Sequence, residues 1–133
     1  MKKTFLLNAE ISYVIARLGH TQTITIGDAG LPVPENVKRI DLAVSKQIPS
    51  FLAVLDAVLA EMQVERITLA EEIDLRAPDL KNQILQRFQG HGVDVEYVTH
   101  EQFKMMTVNC EAVVRTGETT PYANIILHSG VTF

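Results

Sequence analysis

The apolar residues of this chain change period repeatedly, from helical spacing to strand spacing and back, and that alternation leaves few architectures open. Ile11, Val14, Ile15 and Leu18 fall at i, i+3, i+4 and i+7, one face of a helix. Asn8 is placed to cap its start, and Gly19 stands where a left-handed residue would end it. Thr23 to Asp28 then alternates, with Ile24 and Ile26 on one side, as a strand does. Phe51, Leu52, Leu55, Val58, Leu59 and Met62 return to helical spacing behind Pro49, a residue accepted at helix entry. Arg66 to Ala70 reads as a buried strand, and Leu80, Ile84, Leu85 and Phe88 as the stripe of a further helix. Val93, Val95 and Tyr97 alternate again, and Thr99-His100-Glu101-Gln102 then has the spacing of a capping box. Arg39 to Val44, Ala112 to Arg115 and Asn124 to Leu127 supply the remaining strands. Ala29 to Pro34 cannot be regular, because Pro32 and Pro34 lack amide donors and force their predecessors into extended conformations.

Strands alternating with helices predict an α/β fold: a single layered domain over residues 1–133, with helices packed on both faces of a mostly parallel or mixed sheet. The composition agrees, since 47% apolar and 21% charged residues describe a globular chain and not a disordered one. A net charge of -4 without any basic stripe argues against nucleic acid as a partner. Cys110 is the one cysteine, which rules out an intrachain disulfide and fits a reducing compartment. The apolar run after Lys2 and Lys3 stops at Leu7, short of the roughly 7–15 residues of an export signal. No stretch approaches the roughly 20 apolar residues of a membrane span, so a cytoplasmic location is expected.

Ligands of open α/β sheets bind beyond the carboxyl ends of the strands. Asp28 ends one expected strand, His100 follows another by two residues, and Tyr122 and Asn124 adjoin a third. Taken singly, each has a plain alternative: His20 a solvated residue after a helix, Asp28 a turn former, Tyr122 a half-buried aromatic, Asn124 a strand-end residue. The two histidines nevertheless have opposite settings. His20 follows a helix C-terminus, whose free carbonyls favour a cation, whereas His100 falls in the first turn of a helix, whose free amides do not. Such a pair suits proton transfer. His20, Asp28, His100 and His128 lack a short ligand spacing, so no metal is expected, and the absence of a Gly-rich phosphate loop signals no nucleotide cofactor. Cys110 reads as a buried structural thiol, Glu71 and Glu72 as a solvated loop or helix start, and Arg115 and Glu118 as partners of each other or of a neighbouring chain.

Five blocks, in order, carry a resemblance: Arg17-Leu18-Gly19-His20-Thr21, Asp28 to Pro34, Arg39-Ile40-Asp41-Leu42, Thr99 to Lys104, and Arg115 to Glu118 with Pro121 to Leu127. Together they resemble the ribose pyranase and fucose mutarotase family over almost the whole chain, with Ala77 to Gly92 the poorest match. Gly30-Leu31-Pro32 and Tyr122-Ala123-Asn124 resemble the ribose branch, since the fucose branch typically has Tyr-Gly-Asn near its end. The resemblance implies a cofactor-free isomerase that interconverts the pyranose and furanose forms of D-ribose. It implies His20 as the proton donor, with Asp28, His100, Tyr122, Asn124 and the Ala123 backbone holding the sugar. It further implies a homodecamer of two pentameric rings with active sites near subunit boundaries, where Lys104 could reach a neighbour's site. Two other readings stay open: a mutarotase acting on the anomers of a related sugar such as fucose, and a non-catalytic sugar-binding module.

Overall fold

The computed structural model describes residues 1–133 as one six-stranded sheet clothed by five helices. Helix α1 (Ala9–Arg17) begins as expected, with the Asn8 side chain accepting from the Ile11 amide at 2.9 Å. Its end differs from expectation. Leu18 is already extended, and the left-handed residue of the following turn is Thr21, at φ 69°, not Gly19. The Gly19 amide instead donates to the Gln22 side chain at 2.6 Å, closing the turn locally.

Strands β1 (Thr23–Gly27) and β2 (Lys38–Asp41) follow, separated by the irregular proline segment. Helix α2 (Phe51–Leu59) starts at an N-cap Ser50, so Pro49 lies just outside it. Then come β3 (Val64–Ala70), the single turn α3 (Ile73–Arg76), α4 (Pro78–Phe88), β4 (Asp94–Val98) and α5 (His100–Met106). Strands β5 (Ala112–Arg115) and β6 (Ile125–Ser129) complete the sheet. The turn α3 is too short for a periodic signal and was not legible in the sequence.

The strand order is β2-β5-β1-β6-β3-β4. Neighbouring strands run parallel except at β6, which lies antiparallel between β1 and β3. The sheet is therefore mixed, with helices on both faces but unequally shared. One face carries a core of 24 buried residues in which α1, α2 and α4 cover Ile24, Ile26, Ile67, Leu69, Val114 and Leu127. The other carries only six, centred on Phe103 of α5 with Val113 and Ile126. Thr25 and Thr68 are wholly buried on that second face, and Cys110 packs there too. Burial pushes the Cys110 thiol up, away from a reactive thiolate, while the Thr23 and Thr25 hydroxyls lie 3.2 and 3.1 Å from its sulfur. No helix is long and apolar enough to cross a membrane.

This topology has one consequence for chemistry. The carboxyl ends of the five like-directed strands and the amino end of β6 gather along the same rim of the sheet.

Candidate active site

On that rim, Asp28 leaves β1 and Asn124 enters β6, and the two are interlocked. The Asn124 side-chain oxygen accepts from the Asp28 amide at 2.9 Å, and its amide nitrogen donates to the Asp28 carboxylate at 3.0 Å. The other Asp28 oxygen accepts from the Gly30 amide at 2.8 Å, the turn that Asp followed by Ala-Gly favours. Gly27 allows this closeness, since a Cβ there would stand 3.0 Å from the Asn124 side-chain oxygen and 2.6 Å from Leu31. Asn124 is fully buried, so its two bonds to Asp28 fix that carboxylate with no competition from solvent.

Tyr122 sits one residue from this pair in a left-handed conformation, φ 62°, with its carbonyl accepting from the Asn124 amide at 2.8 Å. A bulky residue holds that conformation only where its surroundings impose it. The His100 ring meets the Tyr122 ring edge-on, with centroids 5.1 Å apart, and lies parallel to Phe103 at 6.3 Å. Ala123, between Tyr122 and Asn124, is fully buried and its methyl group joins the larger core.

His100 is aimed by the start of α5. The capping box is present, with the Gln102 amide donating to the Thr99 hydroxyl at 3.2 Å and the Thr99 amide donating to the Gln102 side chain at 3.1 Å. Glu72 adds a clamp that the sequence did not suggest. Both of its carboxylate oxygens accept from the His100 amide at 3.0 Å, and Glu72 is itself the N-cap residue of α3, the helix start that its sequence position allowed. The His100 Nδ1 is shielded from solvent and has no hydrogen-bond partner within the chain.

The loop that carries Tyr122 to Asn124 is held from behind by Glu118. This residue was expected to pair with Arg115 or with a neighbouring chain; within the chain it is almost wholly buried, and Arg115 pairs with Asp41 at 3.0 Å. One Glu118 oxygen accepts from the Phe51 amide at the start of α2 at 3.1 Å. The other accepts from the Thr119 and Thr120 amides at 3.2 Å each and from the Thr120 hydroxyl at 2.9 Å. The Glu118 carbonyl also accepts from the Ala29 amide at 2.8 Å, beside Asp28. Burial opposes ionisation of this carboxyl, but the hydrogen bonds from Phe51 and Thr120 outweigh it and hold it below the ordinary glutamate range.

His20 lies elsewhere. It precedes β1, so the five residues of that strand separate it from Asp28 by about 17 Å at the usual strand rise. It is half exposed, and its neighbouring carboxylate is Glu65, whose Oε2 lies 2.8 Å from His20 Nε2. A cleft of about 430 Å³, lined by Leu18, His20, Met62, Ser129, Val131 and Phe133 among others, opens beside it. A second cleft of about 360 Å³ lies in front of His128 and Thr23. Lys104, on α5, pairs with Glu101 at 2.6 Å. Thus Asp28, Tyr122, Asn124 and His100 converge within one chain, and His20 does not join them there.

The Asp28 carboxylate, the Asn124 amide, the His100 imidazole and the Tyr122 phenol are groups able to hydrogen-bond the hydroxyls of a neutral sugar. The model of the RbsD / FucU transport protein family matches residues 1–132. The chain belongs to that family. Among RbsD / FucU relatives, the D-ribose pyranase of Geobacillus kaustophilus (strain HTA426) is 56% identical over 133 residues, all of this chain and 96% of that protein. The D-ribose pyranase of Enterobacter sp. (strain 638) is 53% identical over 139 residues, covering both chains fully. Among solved structures, Bacillus subtilis RbsD complexed with D-ribose superposes with a TM-score of 0.93 at 42% identity, covering all of both chains. The fucose mutarotase from Streptococcus pneumoniae in complex with L-fucose follows at a TM-score of 0.81 and 27% identity, over 95% of this chain and 94% of that one. The layered α/β domain with a mostly parallel or mixed sheet expected from the alternating periods is borne out, and its mixed six-stranded sheet is the fold of this family.

Proposed function

We propose that this chain is a D-ribose pyranase, an intramolecular isomerase that interconverts the pyranose and furanose forms of free ribose. The observation that carries this reading is the full-length similarity, at 42% identity and a TM-score of 0.93, to an RbsD that is complexed with D-ribose. The ribose branch is favoured over the fucose branch by the same measure, since the fucose mutarotase is 27% identical with a TM-score of 0.81.

The chemistry asks little of the protein. Opening the pyranose puts a proton on the ring oxygen as its bond to C1 breaks, and takes a proton from the anomeric hydroxyl as the aldehyde forms. Closing through the C4 hydroxyl returns both, so no cofactor or co-reactant is consumed. A positioned acid-base group supplies about 10²–10⁴-fold for such transfers. In this reading His20 is the proton donor, and Asp28, His100, Tyr122, the Ala123 backbone and Asn124 hold the sugar. The interlock of Asp28 with Asn124 supports the second part, because it holds the Asp28 carboxylate in one orientation.

The separation of His20 from the rim within one chain supports a site shared between copies, with His20 delivered by a neighbouring subunit. A ring-shaped homo-oligomer, a decamer of two pentamers, would supply such neighbours, and Lys104 would then lie close enough to a boundary to reach across it. The working compartment in this reading is the cytoplasm, where free ribose awaits phosphorylation as the furanose.

Saturation-transfer NMR on ribose and on fucose tests the proposal. Exchange between ribose pyranose and furanose signals should be enhanced by the wild-type protein and lost in His20→Ala, which should still bind ribose. Enhancement confined to anomers of one ring size would replace the pyranase reading with a mutarotase; binding without any exchange would leave a sugar-binding module.

A further inference from the structure

Two unusual backbone features meet at one contact on the opposite rim of the sheet from Asp28. The first is Thr21, directly after His20, at φ 69°. For a β-branched residue that conformation is an outlier, and it persists only because neighbouring bonds impose it. Here the Thr21 amide donates to the Ser129 carbonyl at 2.9 Å, while the Gly19 amide is held by Gln22 at 2.6 Å. The second is a bulge in β3. Val64 stands opposite Ser129 of β6, yet Arg66 stands opposite His128, so Glu65 is the extra residue of the ladder. Bulges break the strict alternation of side chains and re-aim the one they carry. Gly130 leaves the room this needs, since a Cβ there would stand 3.2 Å from the Glu65 Cβ. The two distortions end in a single interaction, His20 Nε2 to Glu65 Oε2 at 2.8 Å.

A carboxylate only accepts, so the atom facing it must carry a hydrogen. Nε2 is then occupied in every protonation state of the imidazole, and Nδ1, which makes no hydrogen bond within the chain, is the ring nitrogen left to act. We propose that Glu65 is a positioning residue for His20, fixing the ring through Nε2 so that Nδ1 is the atom that exchanges a proton with the sugar. The inference rests on the pyranase reading and deepens it. In ring opening, Nδ1–H gives its proton to the ring oxygen, which keeps the electron pair of the broken C1–O bond; the anomeric hydroxyl proton passes to water. In closing, the C4 hydroxyl attacks C1 and returns its proton to Nδ1, and the carbonyl oxygen takes one from water. The imidazolium is regenerated and the protons balance.

Variants of Glu65 followed by saturation-transfer NMR on ribose test the assignment. The Glu65 side chain is 36% exposed, so Glu65→Ala should fold like the wild type. Its kcat should fall at least about tenfold, with KM changed less than about twofold, because the lost property is orientation of the proton-transfer group. Glu65→Gln, which keeps an acceptor for Nε2–H, should recover part of that loss. A full kcat in Glu65→Ala overturns the role of Glu65 while leaving the pyranase reading intact. Undiminished exchange in His20→Ala alone would instead overturn the pyranase assignment of His20, and Glu65's role with it. Nitrogen NMR of the imidazole gives an independent readout: wild-type His20 should carry its proton on Nε2 in the neutral ring. A proton on Nδ1 would refute the pairing whatever the kinetics.

Discussion

Replacing Glu118 by glutamine isolates the group that holds the loop of Tyr122 to Asn124 in place. The amide is isosteric, and its oxygen can still accept from the Thr119 and Thr120 amides and the Thr120 hydroxyl. Its nitrogen then points at the Phe51 amide, donor against donor, at a residue with no solvent exposure. An unsatisfied buried donor costs about 1–3 kcal/mol. Losing the negative charge at the first turn of α2 adds about 0.3–1 kcal/mol. The expected loss is therefore about 1.5–4 kcal/mol at pH 7, or a fall in Tm of roughly 5–15 °C for a domain of this size. The sign of the pH dependence follows from the depressed carboxyl. Glu118 stabilises the folded chain fully above its unfolded value of 4.5, and that contribution disappears as pH falls through the lower folded value. Urea unfolding at fixed protein concentration should show the full gap between wild type and Glu118→Gln from pH 7 to about pH 5, narrowing below about 4.5. A gap under about 0.5 kcal/mol at pH 7, or one unchanged down to pH 3.5, would refute the argument.

Three further outcomes follow from single contacts. Asn124→Ala removes both bonds to Asp28 from a fully buried position, and should cost about 1–3 kcal/mol in urea unfolding. It should also slow ribose ring exchange by at least about tenfold; an unchanged rate would mean that Asp28 needs no holder. Gly117→Ala would drive a methyl group into the backbone oxygens of Ser45 and Ile48, which cannot rotate away, and should lower stability by about 1–3 kcal/mol or abolish soluble expression. His128 is pushed down from its ordinary value of 6.5 by burial and by Arg66, so the folded chain resists protonation there. Stability should then fall as pH drops below about 6.5 through the folded value, and His128→Gln should flatten that part of the curve measured by urea midpoints between pH 7.5 and 5.5.

The local elements were legible because helical and strand periods depend only on neighbours in the chain. Ile11, Val14, Ile15 and Leu18 announced α1, and Thr99 with Gln102 announced α5, since a cap and its helix lie within one turn of each other. Where a turn's conformation was set by distant bonds, local reading failed. Gly19 looked like the left-handed residue after α1, but the amide of Thr21 is tied to Ser129 more than a hundred residues away, and Thr21 takes the strain.

Polar partnerships were hidden for the same reason. Arg115 and Glu118 are close in sequence and looked like a pair, yet one reaches Asp41 on β2 and the other the start of α2. Glu65 carried no signal, because a bulge is a mismatch between two strands and cannot be seen in either alone. Spacing and residue type were enough to establish the alternation of helix and strand, the irregular proline segment, and Asp28, His100, Tyr122 and Asn124 as polar residues near strand ends. Only the folded sheet decided that these four meet on one rim while His20 sits at the other end of β1 against Glu65. Which end of a strand a residue occupies, and what faces it there, depends on the pairing order β2-β5-β1-β6-β3-β4, and that order is set by long-range packing.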